Sequence, residues 1–225
     1  MENTIKIDII SDVVCPWCII GYKRLNKAVS ELGIEDNVEV KWHPFQLNPE
    51  MGKDGEEVTG HMMKKYGLTP DDCRSTLEQL TTLGADVGFT FDFFDNFKMV
   101  NTGDLHILLD YAIKFGKQTE LKLRLFNACF TERKNVSDRQ VLAQELKSVG
   151  LNEKEGLAEL DNIVFRNKVE ADEAYWKKRG VSGVPTMIFN NVNTFTGAQP
   201  VSIYRQVLLS CMKGEETVQL QSVSL

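Results

Sequence analysis

The chain lacks the features that mark several large protein classes. No apolar run among its 225 residues approaches the ~18 needed to span a membrane. There is no basic stripe: 26 basic residues face 32 acidic ones, the formal net charge is -6, and nucleic-acid binding loses its usual electrostatic footprint. The N-terminus has no signal-peptide character, since Met1-Glu2-Asn3-Thr4 leads straight into an alternating strand pattern. The expected setting is therefore the cytoplasm, which keeps most thiols reduced, with neither membrane nor nucleic acid as a partner. Five cysteines at this length make no disulfide framework. Cys73, Cys129 and Cys211 are scattered singly on apolar helix stripes, where a free cysteine packs as a small hydrophobe. A second Cys-x-x-Cys is missing, and His43, His61 and His106 lie far apart. A zinc site needs four ligands as a rule, so no metal is expected. No internal repeat or low-complexity tract is present.

What is present is one close cysteine pair, Cys15-Pro16-Trp17-Cys18, at a strand-to-helix junction. Before it, Ile5, Ile7 and Ile9 alternate with Lys6 and Asp8, the period of a half-buried strand. After it, Tyr22, Leu25, Val29 and Leu32 recur at helical spacing, and Gly33 stands where a left-handed cap would close that helix. Val38, Val40 and Trp42 alternate as a second strand, closed off by Pro44 and Pro49.

From 51 to 174 the texture is almost entirely helical. Thr69-Pro70 opens one helix. Others run from Leu105 to Phe115 and from about Glu120 to Phe130. Ser137 with Gln140, and Asn152 with Glu155, carry N-cap spacing. A long helix from about Asp161 to Arg179 ends at Gly180. Strand signals return at Thr186–Phe189 and Thr194–Thr196, with Asn190-Asn191 as the turn, before a last helix from about Pro200 to Met212. The tail from Glu215 has no strong pattern. Residues 1–50 and 175–225 thus read as one small discontinuous α/β domain. Residues 51–174 read as a helical domain inserted into it, long enough for a core of its own.

A thiolate, not a thiol, attacks a disulfide. A cysteine at a helix N-terminus meets unpaired N–H groups and the positive end of the helix dipole, which lower its pKa. Cys15 is therefore expected to be the exposed, activated sulfur. Cys18, one turn later on the same face, can reach back to resolve a mixed disulfide formed at Cys15. Pro16 suits the first helical turn, where its missing N–H costs no bond. Val184-Pro185, framed by Gly180 and Gly183 and followed by a strand, is a candidate cis bond. Trp17 either caps the core or shapes the substrate surface. Asp12 is either an N-terminal helix acid or a proton-transfer group. His106 is a core, surface or site histidine. The aromatic run from Phe89 to Phe94 either packs beneath the insertion or lines the thiol cleft.

With these motifs the chain resembles the thioredoxin superfamily, and within it the FrnE-like branch of the DsbA family. The resemblance covers nearly the whole chain. It rests on Ser11 to Cys18 with Gly21, on His43-Pro44-Phe45-Gln46-Leu47-Asn48-Pro49, and on Asn101-Thr102 with His106. Leu125-Phe126, Val136-Ser137-Asp138, Gly180 to Thr186, and Thr196-Gly197-Ala198-Gln199-Pro200 complete it. It implies a thioredoxin-like α/β fold with an inserted all-helical domain. The implied activity is that of a thiol-disulfide oxidoreductase or isomerase, with Cys15 as nucleophile and Cys18 as resolving cysteine. Pro185 is implied to be cis, with Val184 offering backbone hydrogen bonds to a bound peptide. Pro16 and Trp17 would complete the substrate-binding surface, and Asn101 and Thr102 belong to a stretch that would face the thiol.

The sequence departs from this pattern in two places. Thioredoxin and DsbA carry a buried acid six residues before the first cysteine, where this chain has Ile9; Asp12 or water would then take over proton transfer. DsbA has a histidine between its cysteines where this chain has Trp17, which implies a less oxidising pair.

Three functions compete. The first is dithiol exchange with a disulfide-containing protein, peptide or small molecule, without a metal or organic cofactor and with glutathione as a redox partner. The second is glutathione-dependent transfer or isomerisation on small electrophiles, which needs no resolving thiol. The third is a non-catalytic chaperone or interaction module.

Overall fold

The computed structural model describes residues 4–52 and 54–215. The expected α/β fold with a helical insertion is what these residues adopt. Strand β1 (Ile5–Ser11), helix α1 (Pro16–Leu32) and strand β2 (Val38–Pro44) form a β-α-β unit, with β1 and β2 parallel and Ile9 opposite Trp42. After the insertion come β5 (Thr186–Phe189), β6 (Asn193–Thr196) and α9 (Val201–Met212). Strand β5 pairs antiparallel with β1 and with β6, so the sheet order is β2-β1-β5-β6. The β5–β6 turn is made by Asn190 and Asn191, both in the left-handed region that Asn tolerates.

Alternation decides what each face of β1 meets. Ile5, Ile7 and Ile9 join the main apolar cluster, whereas Ile10 joins Phe45, Trp176, Val181 and Ile188 on the other face. The second face also holds a polar clamp. His43 places Nε2 2.7 Å from Asp8 and Nδ1 2.9 Å from Asp172. Burial works against the charged imidazole, but the contacts with Asp172 and Asp8 outweigh it and raise the His43 pKa.

Between β2 and β5 run α2 (Val58–Tyr66), α3 (Pro70–Asp86), α4 (Gly103–Ile113), α5 (Gln118–Phe130), α6 (Arg139–Ser148), α7 (Glu153–Glu159) and α8 (Ile163–Lys178). Thr69 opens α3 with a capping box to Asp72. Asn152 caps α7 through the N–H groups of Lys154 and Glu155. The residue that caps α6 is Asp138 rather than Ser137, whose hydroxyl instead donates to Asn135. A short antiparallel ladder of β3 (Glu56–Glu57) and β4 (Lys98–Met99) interrupts the helices. Two-residue strands carry no readable alternation, which is why the sequence pattern misses them. The insertion does not keep its core apart: one buried cluster runs from Ile5 and Val13 through Leu105, Leu121 and Phe126 to Tyr204. Helices α5 and α8 pack directly on β2.

Candidate dithiol site

The chain turns sharply between β1 and α1. Cys15 is the N-cap of α1 in extended conformation, and Pro16 holds the first helical position. The Cys15 N–H donates to the Asp12 carbonyl at 3.3 Å, and the Cys18 N–H to the Cys15 carbonyl at 3.1 Å. Opposite them lies the Val184–Pro185 peptide, which is cis. Cys15 Sγ donates to the Val184 carbonyl at 3.6 Å, across 169 positions of chain. Gly21 allows this approach, since a methyl group there would lie 3.3 Å from Pro185 Cγ and from Met187 Cε.

The expectation of an exposed, acidified Cys15 is corrected. Cys15 is only 3% exposed and Cys18 is fully buried. Burial raises the Cys15 thiol, and its neighbour Cys18 raises it further. Burial pushes Cys18 up as well, but the hydrogen bond from Cys15, the Lys122 ammonium and Ser11 bring it below the ordinary thiol value. The helix tip therefore acts on two adjoining sulfurs that titrate as a pair. Access still distinguishes the outer sulfur: Cys15 borders a cleft that Cys18 does not line.

That cleft has a volume of about 260 Å³ and runs between the start of α1 and the insertion. Pro16, Trp17, Leu47, Met62, Leu77 and Phe93 line it with Val184, and among the described residues no lysine or arginine does. Trp17 remains partly exposed beside Cys15. The aromatic run serves both ends proposed for it. Phe91 packs against Phe89 and Phe130 beneath the insertion, while Phe93 and Phe97 reach the cleft. Asn101 and Thr102 do not line it. Asn101 donates to the carbonyls of Pro49 and Met51 and accepts from the Gly103 N–H, stapling a turn, and Thr102 is the N-cap of α4.

Behind the cysteines lies a buried polar cluster. Asp12 is fully buried; its Oδ2 accepts the Leu47 N–H at 2.8 Å, and its Oδ1 lies 3.4 Å from His106 Nε2. Burial would raise the carboxyl, but His106, the Leu47 N–H and Lys122 hold it below its ordinary value. Asp12 therefore lies within the buried cluster behind the cysteines, with its carboxyl favoured in the charged form. It is not a first-turn acid of α1, since that turn has none.

Lys122 completes the cluster, and the sequence reading missed it. Its side chain is fully buried, Nζ has no hydrogen-bond partner, and the Trp42 and Phe126 ring centroids lie 5.4 and 5.2 Å away. Burial pushes its pKa down to about 8, against the pull of Cys18, Asp12 and Cys15. The available signal was a lysine in phase with Leu125, Phe126 and Cys129 on the inward stripe of α5. Its placement follows from the helix start. The Gln118 side chain accepts from Trp42 N at 3.0 Å and donates to Trp42 O at 2.8 Å, closing the edge of β2 as a strand would. One turn later Lys122 points beneath α1.

The remaining cysteines are all buried, and burial, with the Asp12 carboxylate, pushes Cys129 up to about 12, which makes it inert. Among the described residues no group of three His, Cys, Asp or Glu side chains is placed to hold a metal ion. No described helix is long and apolar enough to cross a membrane.

Two adjoining thiols at the tip of α1, faced by a cis-proline loop on a β-α-β…ββα frame, define a thioredoxin-like protein with a dithiol site. The chain belongs to the DSBA-like thioredoxin domain family, whose model matches residues 6–208. It is similar to the probable DsbA oxidoreductase SCO1869 from Streptomyces coelicolor, with 28% identity, a TM-score of 0.88, and coverage of 97% of this chain and 94% of that one. It is also similar to the cytosolic disulfide reductase DsbM from Pseudomonas aeruginosa, solved with GSH as well as without, with 18% identity, a TM-score of 0.61, and coverage of 92% and 98%. The Bacillus subtilis protein YwbO is 23% identical over 206 residues, 91% of this chain and 96% of that protein.

Proposed function

We propose that the protein is a thiol-disulfide oxidoreductase of the FrnE-like branch that works on an apolar disulfide, in the reducing setting of the cytoplasm. The observation that carries this reading is the contact of Cys15 Sγ with the Val184 carbonyl, 3.6 Å apart at the end of the apolar cleft. A substrate sulfur entering there meets Cys15 first. Cys15 gives up its proton to solvent and attacks the disulfide as the thiolate, and one substrate thiolate leaves and takes up a proton. Cys18 then attacks the Cys15 sulfur and releases the second thiol, leaving a Cys15–Cys18 disulfide. A thiol pool such as glutathione returns the two electrons, with no metal or organic cofactor. Pro16, Trp17, Val184 and Pro185 shape the surface on which the substrate lies. The apolar lining, with no lysine or arginine among its described residues, favours an apolar protein or peptide segment over the carboxylates of glutathione as the bound portion.

The test is capture. Cys18→Ser should accumulate a mixed disulfide through Cys15 with a model peptide disulfide, and Cys15→Ser should bring exchange to the uncatalysed rate. Undiminished exchange by Cys15→Ser, or no adduct in Cys18→Ser, defeats the reading.

A further inference from the structure

The apolar cleft beside Cys15 holds two polar atoms whose hydrogen-bonding capacity is unused. His61 on α2 and Asn48 in the segment after β2 both line it. The His61 side chain is only 10% exposed, and its Nε2 is buried with no hydrogen-bond partner among the described residues. Asn48 Nδ2 is likewise buried and without a partner among them. A buried polar group left unpaired costs free energy, so two of them in one cleft mark groups kept for a ligand.

The neighbours of each residue decide which role it can play. His61 Nδ1 lies 2.7 Å from Glu56 Oε2. Glu56 is an ion-paired carboxylate, with its other oxygen 3.0 Å from Lys64 Nζ, and a carboxylate only accepts. Nδ1 therefore carries the ring proton, and the neutral imidazole offers the cleft the lone pair of Nε2. The short β3–β4 ladder sets Glu56 in place opposite Met99, and the Val58 N–H ties the start of α2 to the Phe97 carbonyl at 2.9 Å. On the other arm, Lys65 Nζ donates to Asn48 Oδ1 at 2.6 Å and to the Leu47 carbonyl at 2.9 Å. An ammonium has donors only, so the amide oxygen of Asn48 faces Lys65 and its NH2 remains as a donor. His61 and Lys65 are four residues apart on α2, so both arms are anchored to the same face of one helix. Elsewhere in the lining, the Thr76 hydroxyl donates to the Asp72 carbonyl at 2.8 Å, and Tyr66 is largely exposed.

Resting on the oxidoreductase reading, we propose that His61 and Asn48 select the substrate by holding the hydroxyl of a tyrosine next to the reacting cysteine of a peptide disulfide. A phenol donates its hydrogen to His61 Nε2 and accepts from Asn48 Nδ2, while its ring lies against Met62, Leu77, Phe93 and Phe97. Cys15 and Val184 line the same cleft, so the residue held there is close in sequence to the disulfide. Phenylalanine fits the same walls but leaves both polar atoms buried and unpaired, which is how a site built around a hydroxyl rejects the analogue that lacks it. A carboxylate would meet the lone pair of His61, and among the described residues no lysine or arginine lines the cleft to offset it.

The test uses two short peptide disulfides that differ only in a tyrosine or a phenylalanine beside the cysteine. In the full-length Cys18→Ser protein, the Cys15 mixed disulfide, followed by mass, should form about tenfold faster with the tyrosyl peptide. Adding His61→Phe, which keeps a ring in place and removes the acceptor, should bring the two rates within about twofold of each other. Asn48→Leu removes the donor and keeps the shape of the side chain, and it should likewise shrink the preference, so the test stands even where one variant does not fold. A merely structural role would slow both peptides alike and leave their ratio unmoved. Equal rates for the two peptides in Cys18→Ser, or a tyrosine preference undiminished by either added substitution, overturn the proposal while the Cys15 adducts keep the oxidoreductase reading intact. If Cys15 forms no adduct with these or any other disulfides, both fall together.

Discussion

Lys122→Met should make the protein more stable. Burial brings the Lys122 ammonium from an ordinary 10.5 to about 8. At about 1.4 kcal/mol per pKa unit, that displacement corresponds to roughly 3 kcal/mol of folding free energy lost at pH 7 to keeping the charge inside. Nothing in the way of hydrogen bonds offsets it, because Nζ has none. Methionine fills nearly the same space between Trp42 and Phe126 without the charge, so the variant should gain roughly 3 kcal/mol at pH 7. In a chain of this length that is a rise in Tm of roughly 6–12 °C.

The dependence on pH carries the sign. The folded value lies below the unfolded one, so between about 8 and 10.5 the unfolded chain holds more protons and wild-type stability climbs with pH. The advantage of Lys122→Met should therefore be complete below pH 8 and shrink above it. Guanidinium unfolding of both reduced proteins at pH 7 and at pH 9.5 measures this directly. A variant no more stable than wild type, or an advantage constant across that range, would refute the claim that Lys122 is a buried, unpaired cation.

Two further perturbations test the geometry. The His43 clamp to Asp8 and Asp172 raises the histidine above its unfolded value of about 6.5. Its stabilisation should be fully present below pH 6.5 and be lost as pH rises through the folded value. His43→Gln should remove that pH dependence of Tm, and an unchanged profile would dismiss the clamp. At Gly21, an added methyl would press on Pro185 Cγ and Met187 Cε at 3.3 Å and on Ala198 Cα at 3.4 Å. Gly21→Ala should hold stability within about 1 kcal/mol, because the gain in helix propensity opposes the crowding. Disulfide exchange should nevertheless slow several-fold as the proline loop moves off Cys15, and unimpaired exchange would show that this close approach is dispensable.

The sequence by itself determined the frame of this protein. Alternation in Ile5–Ile9 and Val38–Trp42, helical spacing after Cys18, and the turn at Asn190-Asn191 are local properties, so the strands and helices around the site were legible without coordinates. The position of Cys15 at a helix start and the candidate Val184–Pro185 bond were legible for the same reason. How deeply the two sulfurs are buried was not, because burial depends on what closes over the site. Trp17, Leu47 and Phe93 come from three separate stretches of chain, and only their meeting makes the cleft. The polar cluster shows the difference most sharply. Ile9 stands where related proteins bury an acid, and Asp12 was a visible substitute, yet Lys122 lies 104 positions beyond Cys18 on an inserted helix. No local pattern connects a lysine on α5 to a cysteine on α1. Only the packing of α5 against β2, pinned by Gln118 to the backbone of Trp42, puts that ammonium behind the thiols. Electrostatic effects act through space, so tertiary structure alone decided them.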